Sequence, residues 1–196
     1  MRFPEAQEGF RATMLSQAQN LEVEVTNVDG PLITLTTFWH GEQTGVRNLY
    51  RGVFAVSGGI DEGVFEMDFD TEIIDDLFPL KIGNTVDFTG NTLFVKSGEV
   101  LDTIVHIAVI EETKLIVDQE NEPVFVLEVI TEFVEKTTSE LFHRTVYYSP
   151  KYGLILKQIL KTETQSIYWH VTKIHDDGKS ITRQPKPKRR SDTLLI

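Results

Sequence analysis

The sequence predicts an all-β fold with minor α content: an antiparallel meander of about ten strands forming a curved sheet, half-barrel or barrel. Three observations predict it. Aromatic and β-branched residues, 12 Phe among them, fall in short runs that alternate with polar residues. Clusters of Gly, Pro, Asn and Asp separate those runs at hairpin spacing. Helical stretches do not alternate with the strands, as a parallel sheet would require.

Each element has its own warrant. Phe10, Met14, Leu15 and Ala18 have the spacing of a short amphipathic helix, expected near residues 6–18. From Asn20 the period is two: Leu21, Val23 and Val25 alternate with Glu22, Glu24 and Thr26. Val28-Asp29-Gly30-Pro31 is a turn, and residues 32–39 return as the second arm of a hairpin. A turn at 41–45 leads to a strand over 49–57, broken by Gly58-Gly59. In the strand 64–70, Phe65, Met67 and Phe69 face one way and Glu66, Asp68 and Asp70 the other. Residues 72–78 predict a short helix with Thr71 as N-cap, stopped by Pro79. Strands are then expected at 85–90 and 92–96, joined near Gly90-Asn91, and at 103–110, 114–118, 124–134, 140–148, 154–162 and 166–175. Ser149-Pro150-Lys151-Tyr152-Gly153 is a tight turn between two of them. The domain plan is a polar, helical segment over 1–19, one β domain over 20–178 and a flexible basic tail over 179–196. Alternating Pro and Lys at 185–188 exclude helix and central strand from that tail.

Charge and composition exclude several functions. The chain of 196 residues has a formal net charge of −11. Residues 1–178 hold 13 Lys/Arg against 29 Asp/Glu, and residues 179–196 hold 6 against 1. The acidic body repels nucleic acid and anionic membrane, so no nucleic-acid partner is expected for it. With no cysteine, disulfides, thiolate zinc sites and a cysteine nucleophile are excluded. No run approaches the roughly 20 apolar residues of a transmembrane helix. Residues 1–20 lack the apolar centre of a secretory leader. A periplasmic or secreted location is expected if a leader has been removed, and a cytoplasmic one otherwise.

Candidate chemistry is sparse. The stretch 61–76 holds eight carboxylates and no base; acids in a row along a strand diverge, whereas calcium needs converging oxygens, so a solvated acidic face is the expectation. The histidines His40, His106, His143, His170 and His175 lack metal-ligand spacing. His106 shares a row with Ile104, Ala108 and Ile110, expected to face the interior. Neither a Gly-x-Ser-x-Gly elbow nor a phosphate-binding glycine loop occurs. No catalytic residue, metal ligand or cofactor is therefore assigned.

Two segments carry a resemblance. Residues 77–85, Leu-Phe-Pro-Leu-Lys-Ile-Gly-Asn-Thr, lead into a strand through Pro79 and Gly83, and residues 147–157, Tyr-Tyr-Ser-Pro-Lys-Tyr-Gly-Leu-Ile-Leu-Lys, form a hairpin. Together they resemble poorly characterised bacterial envelope β proteins with an "FPLKxG" lead-in and a "YYSPxxGL" hairpin. More loosely, they are similar to the curved-sheet lipoprotein-carrier fold. The ordered pattern spans roughly residues 45–175. The resemblance implies an envelope location and a curved sheet with an apolar groove; both segments are turns, and neither implies a catalytic residue.

The expected function is a non-enzymatic binding protein of the cell envelope, holding an apolar small molecule or lipid. Phe54, Phe65, Met67, Phe69, Phe94, Ile104, Phe125, Phe133 and Trp169 are the residues expected to line the groove. The alternative is a protein–protein interaction module using the acidic face or a sheet edge. A hydrolase built from dispersed carboxylates and histidine ranks behind both.

Overall fold

The computed structural model describes residues 3–17, 19–60, 64–135, 138–162 and 166–175. The basic tail over 179–196 and Asp61–Gly63 lie outside them. The described strands are β1 (Arg11–Ser16), β2 (Gln19–Asp29), β3 (Leu32–Trp39), β4 (Glu42–Tyr50), β5 (Phe54–Ile60), β6 (Phe65–Asp68), β7 (Thr85–Phe94), β8 (Glu99–Val117), β9 (Glu120–Val134), β10 (Ser139–Ser149), β11 (Leu154–Lys161) and β12 (Ser166–His175). A 3-10 helix, Thr71–Leu77, separates β6 from β7. Each strand pairs antiparallel with its sequence neighbours, and β1 pairs with both β2 and β12. The result is a closed, up-and-down barrel; beyond Ala108 the β8 ladder continues with β9 alone.

The expected helix over 6–18 is a correction. Residues 11–16 are a strand, with Ala12 and Met14 buried between partly covered Arg11, Thr13 and Leu15. A spacing of four is even, so Phe10 and Met14 fit a strand face as well as a helix face, and Ala12 between them completes the strand row. Tertiary pairing decides: Ala12 lies opposite Val23 on β2 and Ile174 on β12. The segment 1–19 thus supplies the strand that closes the barrel.

The second expected helix is present as a 3-10 helix, with its cap one residue earlier. Asp70, not Thr71, is the N-cap, its carboxylate accepting from the Glu72 amide at 3.1 Å. Ile74 and Leu77 are fully buried beneath it. Arg51 donates to both carboxylate oxygens of Asp75, at 2.8 and 3.0 Å, and ties the helix to the β4–β5 turn. Beside it the Arg51 guanidinium lies 3.7 Å from the centre of the Phe3 ring. These parts close one end of the barrel.

Two expected strand breaks are absent. β7 runs through Gly90-Asn91, where a Cβ on Gly90 would collide with the Asp68 carbonyl and stand 2.8 Å from the Phe69 Cβ. The glycine serves a close approach of chains, not a turn. β8 runs through Glu111-Glu112-Thr113 with a bulge at Val109/Glu111. Beyond the bulge, Leu115, Val117 and Val124 of the β8–β9 hairpin pack with Ala12, Val23, Leu156 and Val171.

The two segments that carried the family resemblance meet. Asn84 Nδ2 donates to the carbonyls of Leu77 and Pro79, at 3.0 and 3.1 Å, and the Gly83 amide donates to Val109. In the other segment Ser149 Oγ donates to the buried Glu122 carboxylate at 2.5 Å. The Phe78 and Tyr148 rings pack edge to face with centroids 6.2 Å apart. Both segments are parts of the scaffold.

The barrel is filled unevenly. Phe54, Phe69 and Phe88 form an aromatic trio, with Phe69 stacked on Phe88 at 4.5 Å and Phe54 edge-on to both. Around it pack Val105, Ile107, Val109, Leu127, Val129 and Val146 from β8–β10. That sector is solid. The sector bounded by β1–β4, β11 and β12 is not.

Candidate functional site: a one-sided cavity in the barrel

A cavity of about 380 Å³ occupies the second sector, within the usual size range of small-ligand pockets, about 300–1,000 Å³. Its wall follows from strand alternation. Met14 on β1, Leu21 and Val23 on β2, Leu35 on β3, Leu156 on β11 and Val171 on β12 all face it. Gln17 and Trp39, beside the β1–β2 and β3–β4 turns, mark the end opposite the 3-10 helix. Trp39 is 47% exposed there, as a residue at a mouth would be.

One edge of the cavity is cationic. Arg47, on β4 opposite Leu35 and Gly58, lines it. Gly58 makes the approach of β5 possible: a Cβ there would collide with the Val46 carbonyl and lie 2.7 Å from the Arg47 Cα. Burial lowers the Arg47 pKa from its ordinary value. Arg144, on β10, shares its row with buried Val146 and Tyr148 and projects inward. Its Nη2 donates to Thr131 Oγ1 at 2.8 Å, its guanidinium lies 5.4 Å from the centre of the Phe54 ring, and its Nε has no partner. Burial first, and then the Arg47 charge, push the Arg144 pKa down to about 10. β4 and β10 are six strands apart in either direction around the ring of twelve, so the two guanidiniums approach from opposite walls. Trp169, on β12, faces the cavity and its buried Nε1 has no acceptor.

The residues expected to line a groove are dispersed. Trp169 lines the cavity. Phe54 and Phe69 belong to the solid core, with Met67 and Phe125 packed against it. Phe94 and Phe133 pair edge to face at 5.6 Å, and Phe65 lies half-buried on β6 opposite Phe94. Ile104 is 45% exposed and points outward. The expected inward row of Ile104, His106, Ala108 and Ile110 is the outer face of β8, because Val105, Ile107 and Val109 are buried. Sequence reasoning passed over Arg47 and Arg144. Arg144 stands in an alternating row with Phe142, Val146 and Tyr148, and a charge in an apolar row was its available signal.

Three of the five histidines make cross-strand pairs with acids away from the cavity. His106 Nδ1 is 2.7 Å from Asp87, His143 Nε2 is 2.6 Å from Glu128, and His175 Nε2 is 3.4 Å from Glu22. None of these residues is among those lining the cavity. Among the described residues no group of three or more potential ligands could hold a metal ion.

With this geometry in view, the comparisons concern fold. No protein-family model matches the chain, and no curated protein matches it by sequence. Solved structures do match. The hypothetical lipoprotein YmcC from Escherichia coli superposes with a TM-score of 0.59 at 8% identity, covering 88% of this chain and 89% of that one. A candidate exported protein with a YmcC-like fold from Bacteroides fragilis gives 0.46 at 10% identity, covering 88% and 98%. A candidate lipoprotein from Parabacteroides distasonis gives 0.45 at 8% identity, covering 88% and 97%. The barrel has the YmcC fold.

Proposed function

We propose that the protein is a non-enzymatic binding protein of the bacterial cell envelope that holds an apolar ligand or lipid in the hollow sector of its barrel. The observation that carries this reading is the contrast between the two sectors. A chain with twelve Phe packs one sector solid and leaves the other open, lined mainly by apolar side chains, two tryptophans among them, together with Arg47 and neutral polar residues such as Gln19 and Thr37. An unfilled apolar cavity forgoes the packing that its lining could make, a cost that a bound apolar ligand recovers. The envelope location is supported by the fold shared with a lipoprotein. Native mass spectrometry of protein purified without detergent, followed by solvent extraction, tests the reading. An added mass that extracts as lipid supports it. A bare chain whose Tm is unmoved by any apolar ligand counts against it.

The interaction-module alternative has one observation in its favour. Ile104 and Ile110 are 45% and 47% exposed in the outer row of β8, a row suited to a protein partner. Sedimentation across a concentration series, with charged substitutions in this row, separates the two readings.

A further inference from the structure

The two lumen arginines are hard to explain as scaffold. A guanidinium is always charged near neutral pH. Taking it from water is costly unless a counter-charge or a full set of hydrogen bonds offsets the loss. Ion pairs are abundant elsewhere in this chain, Arg51–Asp75 for example, and the chain carries 30 Asp and Glu. Yet neither Arg47 nor Arg144 has an ion-pair partner among the described residues. The charged group felt most by Arg144 is Arg47, which repels it. One neutral hydroxyl, Thr131, accepts from Arg144, and its Nε is unpartnered. Trp169 contributes a second buried donor without an acceptor, Nε1. Arg47 and Trp169 thus bring donors, and no Asp or Glu, to the cavity wall, with Arg144 on the opposite wall of the barrel, while Met14, Leu21, Val23, Leu35, Leu156 and Val171 supply the aliphatic part of the lining.

We propose that the cavity binds a single-chain anionic amphiphile, its carboxylate or phosphate head received by Arg47 with Arg144 behind it, and its hydrocarbon chain laid along Met14, Leu21, Leu35 and Val171. This deepens the binding-protein reading and rests on it. The anion supplies the counter-charge that the barrel lacks. Arg47 lines the cavity and touches the head group; Arg144 acts as a positioning charge that raises the local potential and orients Arg47. A volume of about 380 Å³ lies at the small end of ligand pockets, which favours one chain over the two of a phospholipid. The acidic exterior, with a net charge of −16 over residues 1–178 from 13 Lys/Arg and 29 Asp/Glu, does not attract such a ligand. Selectivity therefore comes from inside.

The test compares dodecanoate, dodecyl phosphate and 1-dodecanol, below their aggregation limits at pH 8, by isothermal titration with the full chain. The two anions are expected to bind at least about tenfold more tightly than the alcohol, the effect of one charge-assisted contact in a sheltered site. Arg47→Gln is expected to remove that advantage and leave dodecanol affinity within about twofold. Arg144→Gln is expected to reduce the advantage while raising the Tm of the ligand-free protein by about 2–4 °C, because an uncompensated charge is removed. This rise is a readout that a structural arginine would not produce. If the wild type binds alcohol and anions alike, the inference is overturned and the apolar-ligand reading stands. If none of the three binds, the apolar-ligand reading falls and the inference with it. If Arg144→Gln lowers the Tm and leaves the anion preference intact, Arg144 is scaffold and its part in the proposal is refuted.

Discussion

The uneven filling of the barrel predicts a large difference between two truncations. Phe88 is 5% exposed and touches Phe54 and Phe69 at ring distances of 5.5 and 4.5 Å. Phe88→Ala removes a buried ring from a packed sector, where neighbours have little room to collapse. The cost is about 3–5 kcal/mol, the transfer of the ring plus the cavity it leaves. Leu21 is half-buried and faces a void already present. Leu21→Ala removes apolar area but creates little new cavity, so its cost is roughly 1 kcal/mol. For a chain of this length about 1 kcal/mol moves Tm by roughly 2–4 °C, so the two variants should separate by about 5 °C or more. Urea unfolding of both variants with matched m values is the assay, since an unchanged slope shows that only stability has changed. Costs equal within about 1 kcal/mol would refute the claim that one sector is packed and the other hollow.

Further predictions follow from single contacts. Gly90→Ala is expected to destabilise by about 2 kcal/mol or more, because its Cβ would collide with the Asp68 backbone; a Tm within 1 °C of wild type would contradict the packing of β7 against that segment. Asp75→Ala leaves Arg51 without its two hydrogen bonds and is expected to cost about 1–2 kcal/mol, read by chemical denaturation and reduced at high salt. Tyr148 is fully buried and donates to the Arg51 carbonyl at 3.3 Å, and burial raises its pKa well above the ordinary 10.0. The folded state therefore keeps a proton that the unfolded state loses, so this contribution is intact below pH 10 and falls as pH climbs above it. Tyr148→Phe is expected to flatten the alkaline loss of stability; a slope equal to wild type between pH 10 and 11 would contradict this.

Much of this fold was legible where strand alternation and turn chemistry agreed. The outward acids of β6 with inward Phe65 and Met67, the Ser149–Gly153 turn and the hairpin β2–β3 all follow from local rules. The closing strand was not legible, because Phe10 and Met14 fit two periods and only pairing with β2 and β12 chooses between them. Gly90 reads as a turn in a single chain, yet here it admits a neighbouring backbone. The inner row of β8 was assigned to the wrong face: Ile104 and Ile110 are as apolar as Val105 and Ile107, and only the register with β7 and β9 distinguishes them. The cavity was the least legible part. Its wall comes from seven strands, with lining residues spread between 10 and 171, and its cationic edge from Arg47, while Arg144, 97 residues away in sequence, stands on the opposite wall of the barrel. Of the large aromatics expected as lining, Phe54 and Phe69 fill the solid sector, Phe94 and Phe133 pair with each other, and Trp169 lines the cavity.

The central claim is that the hollow sector takes an apolar chain, and the chain's own fluorescence can test it. The protein has two tryptophans, Trp39 and Trp169, and both line the cavity. Bromine atoms quench indole only on contact, so titration with 9,10-dibromostearate reports occupancy without any label. The account predicts saturable quenching of the emission, with Trp39→Phe retaining most of it because Trp169 lies in the inner wall. Emission unchanged at saturating brominated ligand, in wild type and in Trp39→Phe alike, would contradict the claim.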